Sequence, residues 1–503
     1  MNEEEYRQIC EASDSILLSP DSTLERVAIP WLHVLNEHPH NLLQYAHLFE
    51  GRHYRFLPSF VKAKEILSLV KAFLKPITSR WQLELPPKID VLIISHLLNS
   101  SQLNSKEDFY FGGIPEALVA KDIVTVVALR DHAGIRHLDP DRSWPKTMAP
   151  RILLSETLGG FDELRLNQRL RKESGRLRLA ASRSPSIFVA RLYKAAARQA
   201  VGPAAMSTLR LYVQIQELVK RSRPTSILVT YEGHSWERIV FAAARSVDPA
   251  IRCIGYHHTI LFPQQHAISR ALGYPYDPDI VFTAGNITEN ILNKTSGLSG
   301  IPVVAVGTHR QENIQSQFSK KISSNNVPAC LVIPDGTMEE FLLIFDFALK
   351  AALKLPAITF IIRMHPVMQI SKVMDREGRL RSLPENVQIS DKTISEDFNR
   401  CRWALYRGSG AAIHAVSATL RPFYFKPAHE ELCIDPLHAM KTWRQTVETV
   451  DNLEALMAYD LHCGIEFLEK EWLPARDFCL RFFSPLDVEK FYHSLVSEKV
   501  LAK

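Results

Sequence analysis

A carboxylate and an imidazole follow an apolar stretch in the segment TYEGHSWER, residues 230–238. Glu232 comes directly after SILVTY (226–231), and His234 and Glu237 stand within the next five residues. A carboxylate at the end of a buried strand can take the proton of an attacking hydroxyl, or act as a nucleophile in a retaining reaction. Acidic residues also stabilise helix starts, so a structural interpretation stays open. We expect Glu232, His234 and Glu237 to be the catalytic residues.

A pair of histidines follows a second apolar stretch in GYHHT, residues 255–259. The pattern predicts that His257 and His258 open toward the same cleft as Glu232, where one of them binds the acceptor or the donor. No carboxylate stands at ligand spacing from them, and no DxD element follows a suitable strand. The sequence therefore predicts no metal site.

Two later segments are typical of phosphate binding. TFIIRMHP (359–366) ends an apolar stretch with a cation, an imidazole and a proline, and RGSGAAIHA (407–415) is a small-residue turn before a helix. Guanidinium groups, exposed backbone N–H groups and hydroxyls all favour anions. Each segment could also be an ordinary strand–turn–helix junction, but together they predict a nucleotide-activated donor. The candidate residues are Arg363, His365, Pro366, Arg407, Gly408, Ser409 and Gly410.

Two further turns complete the predicted donor side. In IPDGTMEE (333–340), the triplet Asp335, Gly336 and Thr337 borders the nucleotide or caps the following helix, and the two interpretations are compatible. In KPAHEELCIDPL (426–437), Glu431 is expected at the cleft rim, where a carboxylate can bind ribose hydroxyls.

Short apolar, β-branched stretches alternate with helical ones from residue 90 onward, which is typical of parallel sheets covered by helices on both faces. The predicted strands are residues 90–95, 123–129, 151–155, 226–231, 251–256, 279–283 and 303–306, then 329–333, 359–363, 387–389, 403–406 and 422–425. The fold class is therefore α/β, with two doubly wound, Rossmann-like lobes facing a central cleft at their carboxyl strand ends. The predicted organisation is a helical region (1–88), a first lobe (89–310), a linker (311–328), a second lobe (329–450) and helices that pack back across the lobes (451–503).

Composition excludes several classes of protein. The chain is 46% hydrophobic and 23% charged, and its formal net charge of +5 is small for 503 residues, so we expect no nucleic-acid partner. The acidic start and the lack of about 18 uninterrupted apolar residues predict a cytoplasmic protein. Residues 163–198 are rich in arginine and leucine. This segment is either a solvated helix or a peripheral contact with the inner membrane.

The combination of VVAVGTHR, ACLVIPDGTMEE, FIIRMHP and YRGSGAAIHAV resembles bacterial GT-B glycosyltransferases that use CMP-activated ulosonic acids, the Kdo and sialic acid transferases. In those families an HP motif and a serine-bearing turn hold the CMP phosphate, which implies His365 with Pro366 and Ser409 here. The first half, with DFYFGGIPEAL (108–118), TYEGHSWER and IGYHHTILFP, is similar to surface-carbohydrate biosynthesis proteins encoded in O-antigen loci. That similarity implies Glu232 as the acidic residue and Tyr110 on the acceptor side.

The resemblance implies transfer of a Kdo-type or sialic, nonulosonic-type sugar from a nucleotide sugar to an oligosaccharide or lipid-linked glycan of lipopolysaccharide O-antigen or capsule. No cofactor beyond the donor substrate is expected. GTHRQEN (307–313) resembles a motif of UDP-GlcNAc 2-epimerases, so an epimerase-like enzyme is one alternative. A polyol-phosphate transferase and a non-catalytic GT-B glycan-binding or scaffold protein are the others.

Overall fold

A computed structural model describes residues 1–35, 38–49, 85–86, 88–103, 105–134, 148–298, 300–309, 328–368 and 370–496. Most of the predicted linker and the second half of the predicted helical region lie outside these ranges.

Two parallel sheets organise the described chain. The first runs in the order β3-β2-β1-β4-β5-β6-β7 and the second in the order β10-β9-β8-β11-β12-β13. Their strands are β1 Val91–Leu97, β2 Thr125–Asp131, β3 Arg151–Leu154, β4 Ser226–Thr230, β5 Arg252–His257, β6 Ile280–Thr283, β7 Val303–Ala305, β8 Ala329–Ile333, β9 Thr359–Ile362, β10 Val387–Ile389, β11 Trp403–Tyr406, β12 Arg421–Phe425 and β13 Gln445–Val447.

The strand order confirms two doubly wound lobes. Each sheet grows outward from its first strand, crosses back, and then grows in the other direction, so β1 lies beside β4 and β8 beside β11. The central strands β4 and β11 are buried along their whole length, which is why their sequences are continuous apolar stretches. The predicted strands are all present, and no end differs from the prediction by more than two residues.

One strand was not predicted. β13 lies at the edge of the second sheet, and only its last residue, Val447, is buried. An edge strand with so little buried surface has no apolar stretch to reveal it.

Helices cover both sheets and both ends of the chain. They are α1 Glu3–Leu17, α2 Leu24–Val27, α3 Pro39–Leu42, α4 Ile114–Val119, α5 Gly160–Arg183, α6 Ile187–Gln199, α7 Pro203–Ser222, α8 Ser235–Val247, α9 Asn286–Asn293, α10 Met338–Lys354, α11 Ile370–Arg376, α12 Ile394–Asn399, α13 Ala411–Ser417, α14 Val450–His462, α15 Ile465–Phe482 and α16 Val488–Val496. Short 3-10 helices occupy Pro30–His33, Leu43–Leu48, Ser100–Leu103, Ser296–Leu298 and Gly378–Arg381.

The N-terminal helices share one core with α5, α6 and α7 of the first lobe, and Leu432 of the second lobe joins it. Arg26 pairs with Glu173 at 2.7 Å, and both side chains are 1% exposed. Arg270 also pairs with Asp14 at 2.7 Å. These buried contacts fix the N-terminal helices to the first lobe.

The last helices return to the first lobe after packing on the second. α15 lies against α13 of the second lobe and α9 of the first. Beyond it, the Ser484 N–H donates to the Ala284 carbonyl at 2.8 Å, and the Thr308 N–H donates to the Ser484 carbonyl at 2.8 Å. The C-terminal segment therefore contacts both lobes.

The basic segment forms α5 and α6. Leu166, Leu170 and Leu177 are buried, whereas Leu164 and Leu179 are each 51% exposed. Most of its leucines therefore pack the core rather than face outward. Among the described residues, no helix combines the length and the apolar character needed to span a bilayer.

Candidate functional site

The switch point of the first sheet holds the predicted catalytic residues. The connections from β1 and β4 leave this edge of the sheet in opposite directions, which opens a crevice between the carboxyl ends of the two strands. His96 stands near the end of β1, and Glu232 stands two residues beyond the end of β4. This is the place where open α/β sheets bind ligands.

The turn after β4 is built around a buried carboxylate. Glu237 is 0% exposed, and its Oε2 accepts hydrogen bonds from the backbone N–H groups of Glu232 at 2.9 Å and His234 at 2.8 Å. Gly233 has φ +84°, and a Cβ there would lie 2.3 Å from the Ala267 carbonyl carbon. Only glycine fits, and the turn presents the side chains of Glu232 and His234 together.

Glu232 and His234 form an ion pair that faces the crevice. Glu232 Oε2 lies 3.2 Å from His234 Nε2, with side-chain exposures of 28% and 33%. Burial alone would raise the pKa of Glu232, but the His234 hydrogen bond and the nearby His258 and His257 outweigh it and lower that pKa to about 2. Burial opposes the charge of His234, yet hydrogen bonding to Glu232 and the charges of Glu232 and Glu237 raise its pKa.

Glu237 responds in the opposite way to Glu232. Burial raises its pKa to about 7, with the charge of His234 opposing and that of Glu232 adding to the shift. Its function is therefore to position the turn, and it is not exposed for contact with a substrate. This corrects the expectation that Glu237 is itself catalytic.

The histidine pair after β5 does not open to the cleft as predicted. His257 is 0% exposed, burial lowers its pKa to about 4, and its ring nitrogens find no hydrogen-bond partner among the described residues. His258 is 4% exposed, and its ring meets that of Tyr110 edge-on with centroids 4.8 Å apart. Both histidines are therefore buried, although both lie near enough to Glu232 for their charges to lower its pKa.

Sequence reasoning missed several side chains of this crevice. The sheet register sets His96 on β1 beside Arg130 on β2. The Trp236 ring meets His96 edge-on at 4.8 Å between centroids, and the Arg130 guanidinium carbon lies 4.6 Å from the Trp236 ring centroid. His96 shares a 2.8 Å hydrogen bond with His132 through their ring nitrogens. Polar residues at the ends of two apolar strands were the signal that could have found them.

The switch point of the second sheet gathers the predicted donor turns. Asp335 and Gly336 follow β8, and Gly408 and Ser409 follow β11. A Cβ on Gly336 would lie 3.0 Å from Nδ1 of His365, so the turns after β8 and β9 touch. Gly408 has φ +65°, and Ser409 is 7% exposed. At both glycines neighbouring side chains fill the space that a Cβ would take: His365 and Val367 at Gly336, and His38 and Ile434 at Gly408.

His365 is set up as a hydrogen-bond donor. Its Nδ1 accepts the Val367 N–H at 3.3 Å, so a neutral ring carries its proton on Nε2. Burial lowers the pKa of His365, with Asp335 opposing, and favours that neutral ring. Pro366 and Val367 beside it are exposed.

The two switch points face each other. A Cβ on Gly410, in the turn after β11, would lie 3.2 Å from Cγ2 of Ile260, three residues beyond β5. The carboxyl strand ends of the two sheets therefore meet across one interface.

In structural comparison, the chain is similar to alpha,alpha-trehalose 6-phosphate synthase from Burkholderia multivorans, with a TM-score of 0.50, 10% identity, and coverage of 81% of this chain and 96% of that one. The fold is GT-B. A putative UDP-N-acetylglucosamine 2-epimerase from Listeria monocytogenes also matches, with a TM-score of 0.48, 11% identity, and coverage of 81% of this chain and 96% of that one. A glycosyltransferase of kitacinnamycin matches with a TM-score of 0.46, 10% identity, and coverage of 82% of this chain and 100% of that one. No protein-family model matches the sequence, and no curated protein matches it significantly.

Two arginines predicted to bind phosphate are engaged within the second GT-B lobe. Arg407 is 0% exposed, pairs with Glu340 and Glu430, and donates to a backbone carbonyl. Arg363 pairs with Asp397 at 2.7 Å and donates to the Lys392 carbonyl at 2.8 Å. Both therefore stabilise loops, and the expectation of direct phosphate contacts from them is corrected.

Other residues predicted for the donor side contact a helix start or the N-terminal helices. The Thr337 N–H donates to Asp335 Oδ1 at 2.5 Å, and Thr337 is the N-cap residue of α10. Glu431 is exposed, and its carboxylate accepts a 3.4 Å hydrogen bond from the Glu3 N–H. It thus faces the start of the N-terminal helices. Among the described residues, no three His, Cys, Asp or Glu side chains are grouped to hold a metal ion.

A residue of the N-terminal region reaches the second switch point. His38 Nε2 lies 3.1 Å from Asp335 Oδ2, and a Cβ on Gly408 would lie 2.9 Å from His38 Cε1. His40 Nδ1 lies 3.2 Å from Glu340. Burial alone would raise the pKa of Glu340, but hydrogen bonds to His38, His40 and Arg407 hold it well below its usual range. Neither histidine stands out in the sequence.

We expect a His38→Ala/His40→Ala double variant to loosen the turn at 333–340, because it loses both contacts with the N-terminal region. Hydrogen–deuterium exchange measured by mass spectrometry should be faster there than in the wild type. His47→Ala, whose ring bonds within its own segment, is the control and should leave that turn unchanged. Unchanged exchange in the double variant would contradict a role for His38 and His40 in holding this turn.

We expect the pH dependence of stability to report on Glu237. Its folded-state pKa of about 7 lies above the ordinary 4.5, so ionisation is easier in the unfolded chain. Its contribution to stability is present below about pH 4.5 and is lost as the pH rises toward 7. Relative to Glu237→Gln, whose side chain cannot ionise, the wild type should lose melting temperature across that window. A melting-temperature difference that stays constant with pH would refute the raised pKa assigned to Glu237. Glu217→Gln on α7 is the control variant.

Proposed function

We propose that this protein is a metal-independent glycosyltransferase that moves a sugar from a nucleotide donor in the second lobe to a glycan hydroxyl in the first. One observation carries the proposal. The Glu232–His234 pair lies at one switch point, and the turns of His365 and Ser409 lie at the other, which faces it across the contact between Ile260 and Gly410. A protein that only binds or scaffolds glycans has no need of such a pair.

We propose that the donor is a CMP-linked ulosonic acid of the Kdo or sialic, nonulosonic type. The phosphate would accept the Nε2–H of His365 and the Ser409 hydroxyl, in the turns that contain Gly336 and Gly408. The resemblance of FIIRMHP and YRGSGAAIHAV to CMP-sugar transferases supports this nucleotide.

In the proposed reaction the acceptor oxygen attacks the anomeric carbon, the bond from that carbon to the phosphate oxygen breaks, and CMP leaves with its electron pair. The acceptor proton goes to the Glu232–His234 pair. Because its pKa is raised, His234 loses its proton at a higher pH than an ordinary histidine, and the pair gains basicity as that proton is lost. Lobe contact excludes water from the reacting atoms.

We assign the reaction to the cytoplasmic face of the inner membrane, in lipopolysaccharide O-antigen or capsule synthesis, with an oligosaccharide or lipid-linked acceptor. On α5, Phe161 is 92% exposed and Leu164 51% exposed, beside Arg165 with a side chain 77% exposed. An exposed apolar and basic surface of this kind suits anionic headgroups and supports the assignment.

Glu232→Gln should lower kcat about 10²- to 10⁴-fold, the usual range for loss of acid–base catalysis, and leave nucleotide affinity unchanged. It should also shift the rising limb of the pH–rate profile to lower pH, because His234 loses the carboxylate that raises its pKa. Transfer from CMP-Kdo and CMP-sialic acid to synthetic acceptors is followed by mass spectrometry.

Glu217→Gln, on α7 in the same lobe, serves as the matched control and should keep the wild-type rate. Near-normal turnover by Glu232→Gln would refute the catalytic assignment. An epimerised sugar released without a new glycosidic bond would refute the transferase proposal as a whole.

His365→Ala should weaken CMP binding by about tenfold, as expected for one hydrogen bond to a charged group, with kcat at saturating donor close to normal. Thermal shift with CMP, UDP and CDP measures the affinity, since ligand binding raises the melting temperature. An unaltered CMP shift in the variant would show that the phosphate lies elsewhere.

A further inference from the structure

We propose that the first-lobe crevice binds a carboxylate of a sugar substrate, and that Arg130 is the residue that holds it. The inference deepens the proposed function and rests on it, because it names a chemical group on the substrate.

Arg130 is positioned by the sheet and by an aromatic ring. It stands on β2 in register with His96 at the carboxyl edge of the first sheet, one strand away from the crevice between β1 and β4. Its guanidinium carbon lies 4.6 Å from the Trp236 ring centroid, and the Trp236 ring lies 6.3 Å from that of His234. One ring thus separates Arg130 from the Glu232–His234 pair.

Two buried arginines of this lobe have carboxylate partners. Arg238 pairs with Asp277, and Arg245 pairs with Asp279 at 2.9 Å. Arg130 is only partly exposed, yet its guanidinium forms no ion pair or hydrogen bond within the described part of the chain. The charge of the buried Glu237 acts on Arg130 without an ion-pair contact, and a desolvated cation that no carboxylate contacts is costly unless a ligand supplies one.

The planar guanidinium matches a carboxylate through two parallel hydrogen bonds. Burial lowers the pKa of Arg130 to about 10, so it stays charged at neutral pH. The donor phosphate is assigned to the second lobe, which leaves a sugar acid as the anion expected in the first. In an ulosonic acid the carboxylate is attached to the anomeric carbon itself, and Arg130 would orient that carbon toward the Glu232–His234 pair.

The test compares a sugar acid with its neutral methyl ester. Isothermal titration of the CMP-saturated protein uses Kdo, N-acetylneuraminic acid and the methyl ester of each. The wild type should bind the acids about 10- to 100-fold more tightly than the esters, the range expected for charge-assisted hydrogen bonds. Arg130→Gln should lose this preference, and Arg130→Lys should keep part of it.

The matched control is Arg221→Gln, an exposed arginine in the last turn of α7, which leads into the opposite end of β4. It should retain the wild-type preference. Equal binding of acid and ester by the wild type, no acid binding at saturating CMP, or a full preference in Arg130→Gln would each overturn the inference. CMP binding is measured separately. Binding of CMP without binding of the acids would therefore contradict this inference and leave the proposed function standing. Failure to transfer any sugar sinks the proposed function.

Initial rates then identify which sugar carries the carboxylate. An increased donor KM in Arg130→Gln assigns it to the transferred sugar, and an increased acceptor KM assigns it to the acceptor. No change in either KM would contradict the inference.

Discussion

The first-lobe site depends on one buried carboxylate beneath the turn after β4. Glu237 accepts the backbone N–H groups of Glu232 and His234, and so closes the first turn of α8 while fixing both residues in the turn before it. Without that acceptor, two N–H groups at a helix start would lack a partner. The side chains of Glu232 and His234 meet at 3.2 Å because their backbone is held this way.

The same arrangement separates the functions of two carboxylates only five residues apart. Glu232 is paired with His234 and partly exposed, so its pKa falls to about 2, whereas Glu237 is fully buried and its pKa rises to about 7. Environments that push two pKa values apart are a sign of distinct functions. The charge that faces the crevice belongs to Glu232, whereas the carboxyl group of Glu237 beneath it ionises only as the pH approaches 7.

Much of the fold could be predicted from the sequence because buried parallel strands have continuous apolar sequences. The position of Glu232 could be predicted for the same reason, since a strand end fixes where the next side chains emerge. The ion-pair partners of the arginines could not be predicted, because they are distant in sequence. Arg363 pairs with an aspartate 34 residues away, and Arg407 pairs with a glutamate 67 residues away. His38 was missed because its contacts depend on how the N-terminal helices pack across both lobes.

Those helices are held unequally by the two lobes, and this bears on how a GT-B cleft can open. Toward the first lobe they are fixed by a shared apolar core and by buried ion pairs such as Arg26 with Glu173. Toward the second, His38 and His40 contact Asp335 and Glu340 through rings 12% and 18% exposed. Breaking an ion pair whose two side chains are each 1% exposed is costlier than separating histidine contacts that are more exposed to water. If the two lobes move apart, the contacts of His38 with the second lobe should therefore break first. His38 lies directly beside the turns assigned to the donor phosphate.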